Sequence, residues 1–161
     1  MALTKIVSGG QTGVDRGALD AALAAGFPCG GWCPANRSAE DGPIPDRYPM
    51  TSLSGGGNRQ RTRQNVVDSD GTAILFNESL KGGTLFTHDV CRRERKPYIV
   101  MDATRISVSG AAAAIVRFIM ENNIRVLNVA GPRSSGLAEG HGFAVGVVRE
   151  LIERCGGRAE V

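Results

Sequence analysis

Lys5-Ile6-Val7-Ser8-Gly9-Gly10-Gln11-Thr12-Gly13 is an apolar run that breaks into a small-residue turn, and Asp15 to Ala25 follows with a helix-like pattern. The same order recurs twice. Ala73-Ile74-Leu75-Phe76 leads, after a short linker, to Gly82-Gly83-Thr84 and a segment ending near Arg95. Val126-Leu127-Asn128-Val129-Ala130 runs into Gly131-Pro132-Arg133-Ser134-Ser135 ahead of the last helical stretch. A turn at the carboxyl end of a strand that opens a helix presents free backbone N–H groups to an anion. Glycine there lets the backbone approach a ligand, because no Cβ intervenes. Three such turns on one sheet would share a rim, which points to a nucleotide, phosphate or oxyanion ligand.

Outward from these turns the chain alternates strand and helix. Leu3 to Ser8 reads as a buried parallel strand, and Gly13 to Ala25 as its helix, with Val14, Ala18, Leu19, Ala22 and Leu23 at helical spacing and Gly26 placed to end it. Phe27 to Trp32 reads as a second, shorter strand. Four prolines (Pro34, Pro43, Pro45 and Pro49) with Gly42 and Gly55-Gly56-Gly57 exclude long regular structure from residues 34–57. Ile44, Tyr48 and Met50 give that loop apolar groups with which to pack down. Helices are expected over 59–67, 83–95, 111–123 and within 135–155, and strands over 72–76, 97–101 and 125–130. Ser107 or Ser109 is a good N-cap for the third of these helices. Alternating strands and helices imply a parallel sheet covered on both faces, with ligands gathering at its switch point. The expected fold is a Rossmann-like three-layer α/β/α sandwich with a mainly parallel sheet of about five strands, forming one domain over residues 1–161.

The composition is that of an ordinary globule: of 161 residues, 42% are hydrophobic and 22% charged. Glycine is the outlier, with 22 residues, about twice the usual ~7% share. A net charge of +3 favours an anionic small molecule. The basic residues are dispersed and do not interleave with aromatics, so nucleic acid is not an expected partner. Cys29, Cys33, Cys91 and Cys155 form no CxxC pair and read as reduced, mostly buried thiols. Met1 to Lys5 enters directly into a strand, without a secretory signal, and no apolar stretch approaches a membrane span. A cytoplasmic protein is the expectation.

Few residues announce chemistry. Gly9 to Gly13 is neither the dinucleotide fingerprint nor a Walker A loop, although Gln11 and Thr12 add side-chain donors to its backbone. Asp15 could cap its helix, orient Arg16, or accept from a ligand N–H. Thr84 could cap the helix after Gly82-Gly83 and also donate to a phosphate. The turn Gly131-Pro132-Arg133-Ser134-Ser135 offers two hydroxyls and a guanidinium, whose planar fork suits phosphate. Arg59 and Arg63 would share a helix face, and Arg61 would point away from it. His88 and His141 have no evident partner in the sequence, and no Ser-His-Asp, paired-carboxylate or metal constellation declares itself. That pattern argues for a binder, or for an enzyme of economical chemistry.

The stretch Ile6 to Asp20 resembles the opening signature of the molybdenum carrier (molybdenum cofactor carrier) family. Gly30-Gly31-Trp32-Cys33-Pro34, Glu40-Asp41-Gly42 and Tyr48-Pro49 are similar to it as well. Arg61-Thr62 with Asn65-Val66 and Asp68 to Thr72 look like the family's central block. Gly82-Gly83-Thr84, Lys96-Pro97-Tyr98 and Leu127 to Arg133 complete a resemblance that covers nearly the whole chain. It implies a Rossmann-like protein that binds molybdenum cofactor or molybdate without transforming it, with Arg61, Thr62 and Asn65 joining the glycine turns at the site. A molybdoenzyme would be the recipient. The wider superfamily resembles lysine decarboxylase-like nucleoside-phosphate hydrolases and nucleotide sensors. Those hydrolases carry an acid three positions after the Thr of their glycine loop, where this chain has Thr87. Three expectations therefore stand in order. The first is a carrier holding an anionic pterin-phosphate or molybdate on the backbone amides of Gly9–Gly13, Gly82–Thr84 and Gly131–Ser135. In that reading Asp15 and the 34–57 loop contact the ring system. The second is a nucleotide-binding sensor. The third is a hydrolase using Asp15, Glu78 or Asp89. Self-association is also expected, with the apolar face of the last helix as its seam.

Overall fold

The computed structural model describes residues 2–156. Five helices and nine strands alternate along them: β1 (Lys5–Val7), α1 (Val14–Ala24), β2 (Cys29–Gly30), β3 (Trp32–Pro34), β4 (Ser38–Ala39), β5 (Gly42–Pro43), β6 (Thr51–Leu53), α2 (Asn58–Asp68), β7 (Gly71–Phe76), α3 (Gly82–Arg93), β8 (Tyr98–Asp102), α4 (Val108–Glu121), β9 (Val126–Ala130) and α5 (Gly140–Cys155). The central sheet has five parallel strands in the order β2-β1-β9-β7-β8. The last strand of the chain is thus its middle one, with Ile6 and Thr72 flanking Leu127 and Asn128 in register. The expected Rossmann-like α/β sandwich is the fold observed.

Alternation along β7 shows how the layers form. Ala73 and Leu75 point into the cluster built with α1, α4 and α5, whereas Ile74 points to Val66, Val90 and Cys91 of α2 and α3. Period-two burial on both faces is what a run such as Ala73-Ile74-Leu75 supplies. The larger cluster holds Ile6, Leu127, Ile115, Val148 and Leu151, each at most 1% exposed. Burying one such side chain fully contributes roughly 1.5–3 kcal/mol.

Several local expectations shift. The strand expected over 27–32 breaks at Gly31 into β2 and β3, and β3 leaves the main sheet to pair with β6. Asn65 clasps the break, donating to the Trp32 carbonyl (3.0 Å) and accepting from its N–H (2.8 Å). The last helix begins at Gly140, so residues 131–139 form a longer turn than expected. Ser107 is the N-cap of α4, accepting from the Gly110 N–H at 3.0 Å. Thr84 is no cap: α3 begins two residues earlier, after Lys81. Asp15 is also inside its helix, whose N-cap is Gly13. The apolar face of α5 (Ala144, Val147, Val148, Leu151) is buried against the subunit's own core, so it offers no seam to a second copy. All four cysteines are unpaired, with Cys33 and Cys91 buried. No helix among the described residues is long and apolar enough to cross a membrane.

Residues 35–50 form a strap across α1. Its interior is Ile44 and Tyr48, 2% and 1% exposed, on Leu19 and Cys33. A loop this irregular needs partners for its carbonyls. Arg37 supplies them, its guanidinium donating to the carbonyls of Ile44 (3.2 Å), Pro45 (3.1 Å) and Tyr48 (3.5 Å). The Tyr48 hydroxyl donates to Asp20 (2.7 Å), whose other oxygen lies 2.7 Å from His141 Nε2. His141 therefore does have a partner.

The turn after β1 packs directly on the turn after β9. Gly13 has φ +80°, and a Cβ there would lie 2.5 Å from the Pro132 carbonyl oxygen and 2.8 Å from the Ser134 nitrogen. Gly13→Ala should destabilise the protein by about 2 kcal/mol or more, since backbone strain and backbone collision combine. Gly142→Ala, in α5 with open space around it, should be neutral or stabilise by up to about 1 kcal/mol. Denaturant unfolding of both variants tests the pair; equal effects would contradict the packing described.

Candidate functional site

At the carboxyl ends of β1, β7 and β9 lies an open cleft of about 580 Å³. Its walls come from α2 (Asn58, Arg59, Arg61, Thr62), from β7 and the start of α3 (Phe76, Asn77, Ser79, Lys81 to Thr84, Phe86, Thr87), and from the turn after β9 (Gly131 to Arg133, Ser135, Gly136). From the first turn only Gln11 and Asp15 reach it.

The three glycine turns are not equivalent. In the first, the Gln11 N–H donates to Asp15 (3.2 Å), the Thr12 N–H to the Gln11 side-chain oxygen (3.0 Å) and the Val14 N–H to the Pro132 carbonyl (3.2 Å). In the third, the Ser134 N–H donates to the Thr12 hydroxyl oxygen (3.1 Å), and those of Gly136 and Leu137 to the Arg133 carbonyl. These amides are spent within the protein, while those of Gly9, Gly10, Gly13, Gly131 and Arg133 have no hydrogen-bond partner among the described residues. At α3 the N–H groups of Gly82, Gly83 and Thr84 have no hydrogen-bond partner among the described residues. A Cβ built on Gly82 or Gly83 would meet nothing within 4 Å. These are the three leading donors of a helix, at the positive end of its dipole. The hydroxyls of Thr84 and Thr62, each on a residue only 8% exposed, are likewise unpartnered and line the same cleft.

The electrostatics run the same way. Arg59, Arg61, Lys81 and Arg133 line the cleft against a single acid, Asp15. Arg61 is the inward arginine of α2 and points away from Arg63 as expected, but Arg59 does not share the Arg63 face and lines the cleft with Arg61. Nη1 of Arg61 is 3.7 Å from Asp15, and its Nε is buried without a partner. It lies over Gly9, where a Cβ would sit 1.9 Å from Nη1, so Gly9 serves to admit this guanidinium. Arg63 pairs with Glu94 (3.0 Å) at the surface, and Arg59 stacks 4.6 Å over the Phe86 ring. Burial pushes the Asp15 carboxyl above its ordinary value, opposed by Arg61 and the Gln11 N–H. Behind Arg61 and Asp15 is a void of about 10 Å³, reached by Thr62, Asn65 and Thr87.

Of the residues expected at the site, Gln11, Asp15, Arg61, Thr62, Gly82, Gly83, Thr84, Gly131, Pro132, Arg133 and Ser135 line the cleft. Gly9 and Asn65 reach only the small void, and Gly10, Thr12, Gly13 and Ser134 only hold the turns together. Glu78 is outside the walls, and Asp89 is a half-exposed neighbour of His88. Sequence reasoning missed Lys81, Asn58, Phe76 and Phe86; the cation immediately before Gly82-Gly83 was the available signal for the first of these. No group of three or more His, Cys, Asp or Glu side chains suited to a metal occurs among the described residues.

The strap reaches the rim through two acids. Glu40 accepts from the Thr12 hydroxyl (2.5 Å), the Ser135 N–H (3.1 Å) and the Ser135 hydroxyl (2.7 Å). Asp41 takes a two-pronged contact from Arg16 at 2.5 and 2.8 Å. Hydrogen bonds from Thr12 and Ser135 hold the Glu40 carboxyl below its ordinary value, and those from Arg16 do the same for Asp41. Depressed carboxylates stabilise the folded state above their unfolded value, near about pH 4, and lose that contribution as pH falls through the folded one. Amide-exchange protection of residues 35–50 should therefore fall below about pH 4 before the central sheet opens. The double variant Glu40→Gln/Asp41→Asn should lack that step; an unchanged step would show that the strap is held by other contacts.

The profile of the circularly permutated YpsA SLOG family matches residues 6–152. A crystal structure of a protein from Syntrophus aciditrophicus SB, described as a "putative molybdenum carrier protein", superposes with a TM-score of 0.90 at 40% sequence identity. The match covers 94% of this chain and 96% of that one. No curated protein matches the sequence. The family match over residues 6–152 and the near-complete structural coverage agree, and the chain belongs to the circularly permutated YpsA SLOG family.

Proposed function

We propose that this chain binds and carries a small organic anion in the α3 cleft, with a phosphorylated pterin of the molybdenum cofactor type as its ligand. The observation that carries the reading is the start of α3: three free N–H groups, two unpartnered hydroxyls and four cations around one opening. Amide, hydroxyl and guanidinium donors suit an oxyanion. A volume of about 580 Å³, with Phe76 and Phe86 in the walls, is far more than a bare tetrahedral oxyanion fills. That favours cofactor over molybdate alone. The relative named as a molybdenum carrier supports the molybdenum assignment.

In this reading the oxyanion lies on Gly82, Gly83 and Thr84, Arg61 and Arg133 neutralise it from the opposite walls, and the ring lies toward Phe86 and Arg59. The carrier works in the cytoplasm, passes its ligand to a molybdoenzyme and self-associates through a surface other than α5. A nucleotide would use the same donors and aromatic wall, and is the second reading.

Titration with isolated cofactor, molybdate and adenine nucleotides separates these outcomes. Saturable binding of cofactor, reduced about tenfold or more by Arg61→Ala or by Gly83→Val, is expected. Ligand at a hundred times its dissociation constant should stabilise the fold by about 2.7 kcal/mol. A dominant nucleotide response with cofactor inert would replace the carrier reading, and no response to any of the three would remove the cleft as a binding site.

A further inference from the structure

The corner between the turns after β1 and β9 has the donors of a second oxyanion site: the Thr12 hydroxyl, the Ser135 N–H and the Ser135 hydroxyl, with Arg133 adjacent. The protein fills it with its own carboxylate. Glu40 takes all three of those donors, and its own N–H is tied to the Gln11 side-chain oxygen at 2.9 Å. Gln11, Arg133 and Ser135, which hold or adjoin this carboxylate, also line the cleft, so the filled corner borders the cleft although Glu40 itself is not one of its walls. The cleft is therefore polar in one direction. The α3 wall has unspent donors, and the opposite rim carries a fixed negative charge whose donors are used up.

We propose that Glu40 is a specificity residue, restricting the cleft to ligands with one terminal oxyanion, phosphomonoesters, and rejecting polyphosphate chains that would extend from α3 to the β1–β9 corner. This rests on the reading of the α3 wall as the anion site. A second phosphate reaching the corner meets a like charge and finds the Thr12 and Ser135 donors already taken, and both penalties act against binding. Among pterin ligands the device selects the phosphomonoester over a form extended through a pyrophosphate. Asp41, bound to Arg16, keeps the neighbouring chain in place when the Glu40 charge is removed.

The test compares dissociation constants for inorganic phosphate and tripolyphosphate in the wild-type protein, Glu40→Gln, Glu40→Ala and Glu78→Gln. The last removes an equal charge from a residue that, like Glu40, is not a cleft wall but takes none of the donors of the β1–β9 corner. The expected result is a preference for tripolyphosphate that rises about tenfold or more in both Glu40 variants, with phosphate affinity unchanged and Glu78→Gln like the wild type. An unchanged preference in both Glu40 variants, or an equal rise in Glu78→Gln, overturns the proposal while leaving the α3 site intact. Failure of phosphate to bind any of the four proteins removes the α3 reading and this inference together.

Discussion

The contact between the turns after β1 and β9 is the constraint on which the remainder of the molecule depends. The last strand lies between the first and the strand of residues 71–76, so its outgoing turn must fit against both neighbours. That requires backbone to meet backbone. Gly13 rests on Pro132 and Ser134, and Gly131 rests on the Leu75 carbonyl and Val14, each at distances no Cβ allows. Interiors packed at this density leave little room to adjust. The joined turns exchange two hydrogen bonds, from the Val14 N–H to the Pro132 carbonyl and from the Ser134 N–H to the Thr12 hydroxyl. The start of α3 packs against neither turn and leaves three successive N–H groups open.

This division of labour explains how three similar glycine turns come to play different structural parts. Glycine in the first turn serves close packing and admits Arg61 over Gly9. Glycine at 82 and 83 keeps the helix start bare. The same residue type has opposite consequences, set by whether another segment occupies the space beside it. The cleft is consequently asymmetric, with free donors on the α3 wall and a largely buried pair, Asp15 and Arg61, lining it elsewhere.

The strap contributes more than cover. Its apolar residues Ile44 and Tyr48 seat it on α1, Arg37 meets its carbonyl groups, and Glu40 and Asp41 tie it to two different turns. Its stability and the electrostatics of the cleft rim are thereby linked through one short acidic pair. A loop that packs its own core and is tied to both turns is coupled to the cleft rim, although no residue from 34 to 57 lines the cleft walls.

The chain's periodicity and turn chemistry by themselves determined the sandwich, the parallel sheet and the three candidate turns. Apolar runs such as Ala73-Ile74-Leu75 and helical spacing such as that of Val14, Ala18 and Leu19 are local signals, legible without tertiary information. Caps were legible where a side chain does the capping, as at Ser107. They were misread at Thr84 and Asp15, where the helix begins from glycine or lysine backbone. Which amides stay open was not legible, because an amide is free or spent according to partners that can lie more than a hundred residues away, such as Ser134 N–H on the Thr12 hydroxyl. The inward turn of Arg61 and the filling of the β1–β9 corner by Glu40 were decided the same way: each depends on a long-range contact that only the folded chain creates.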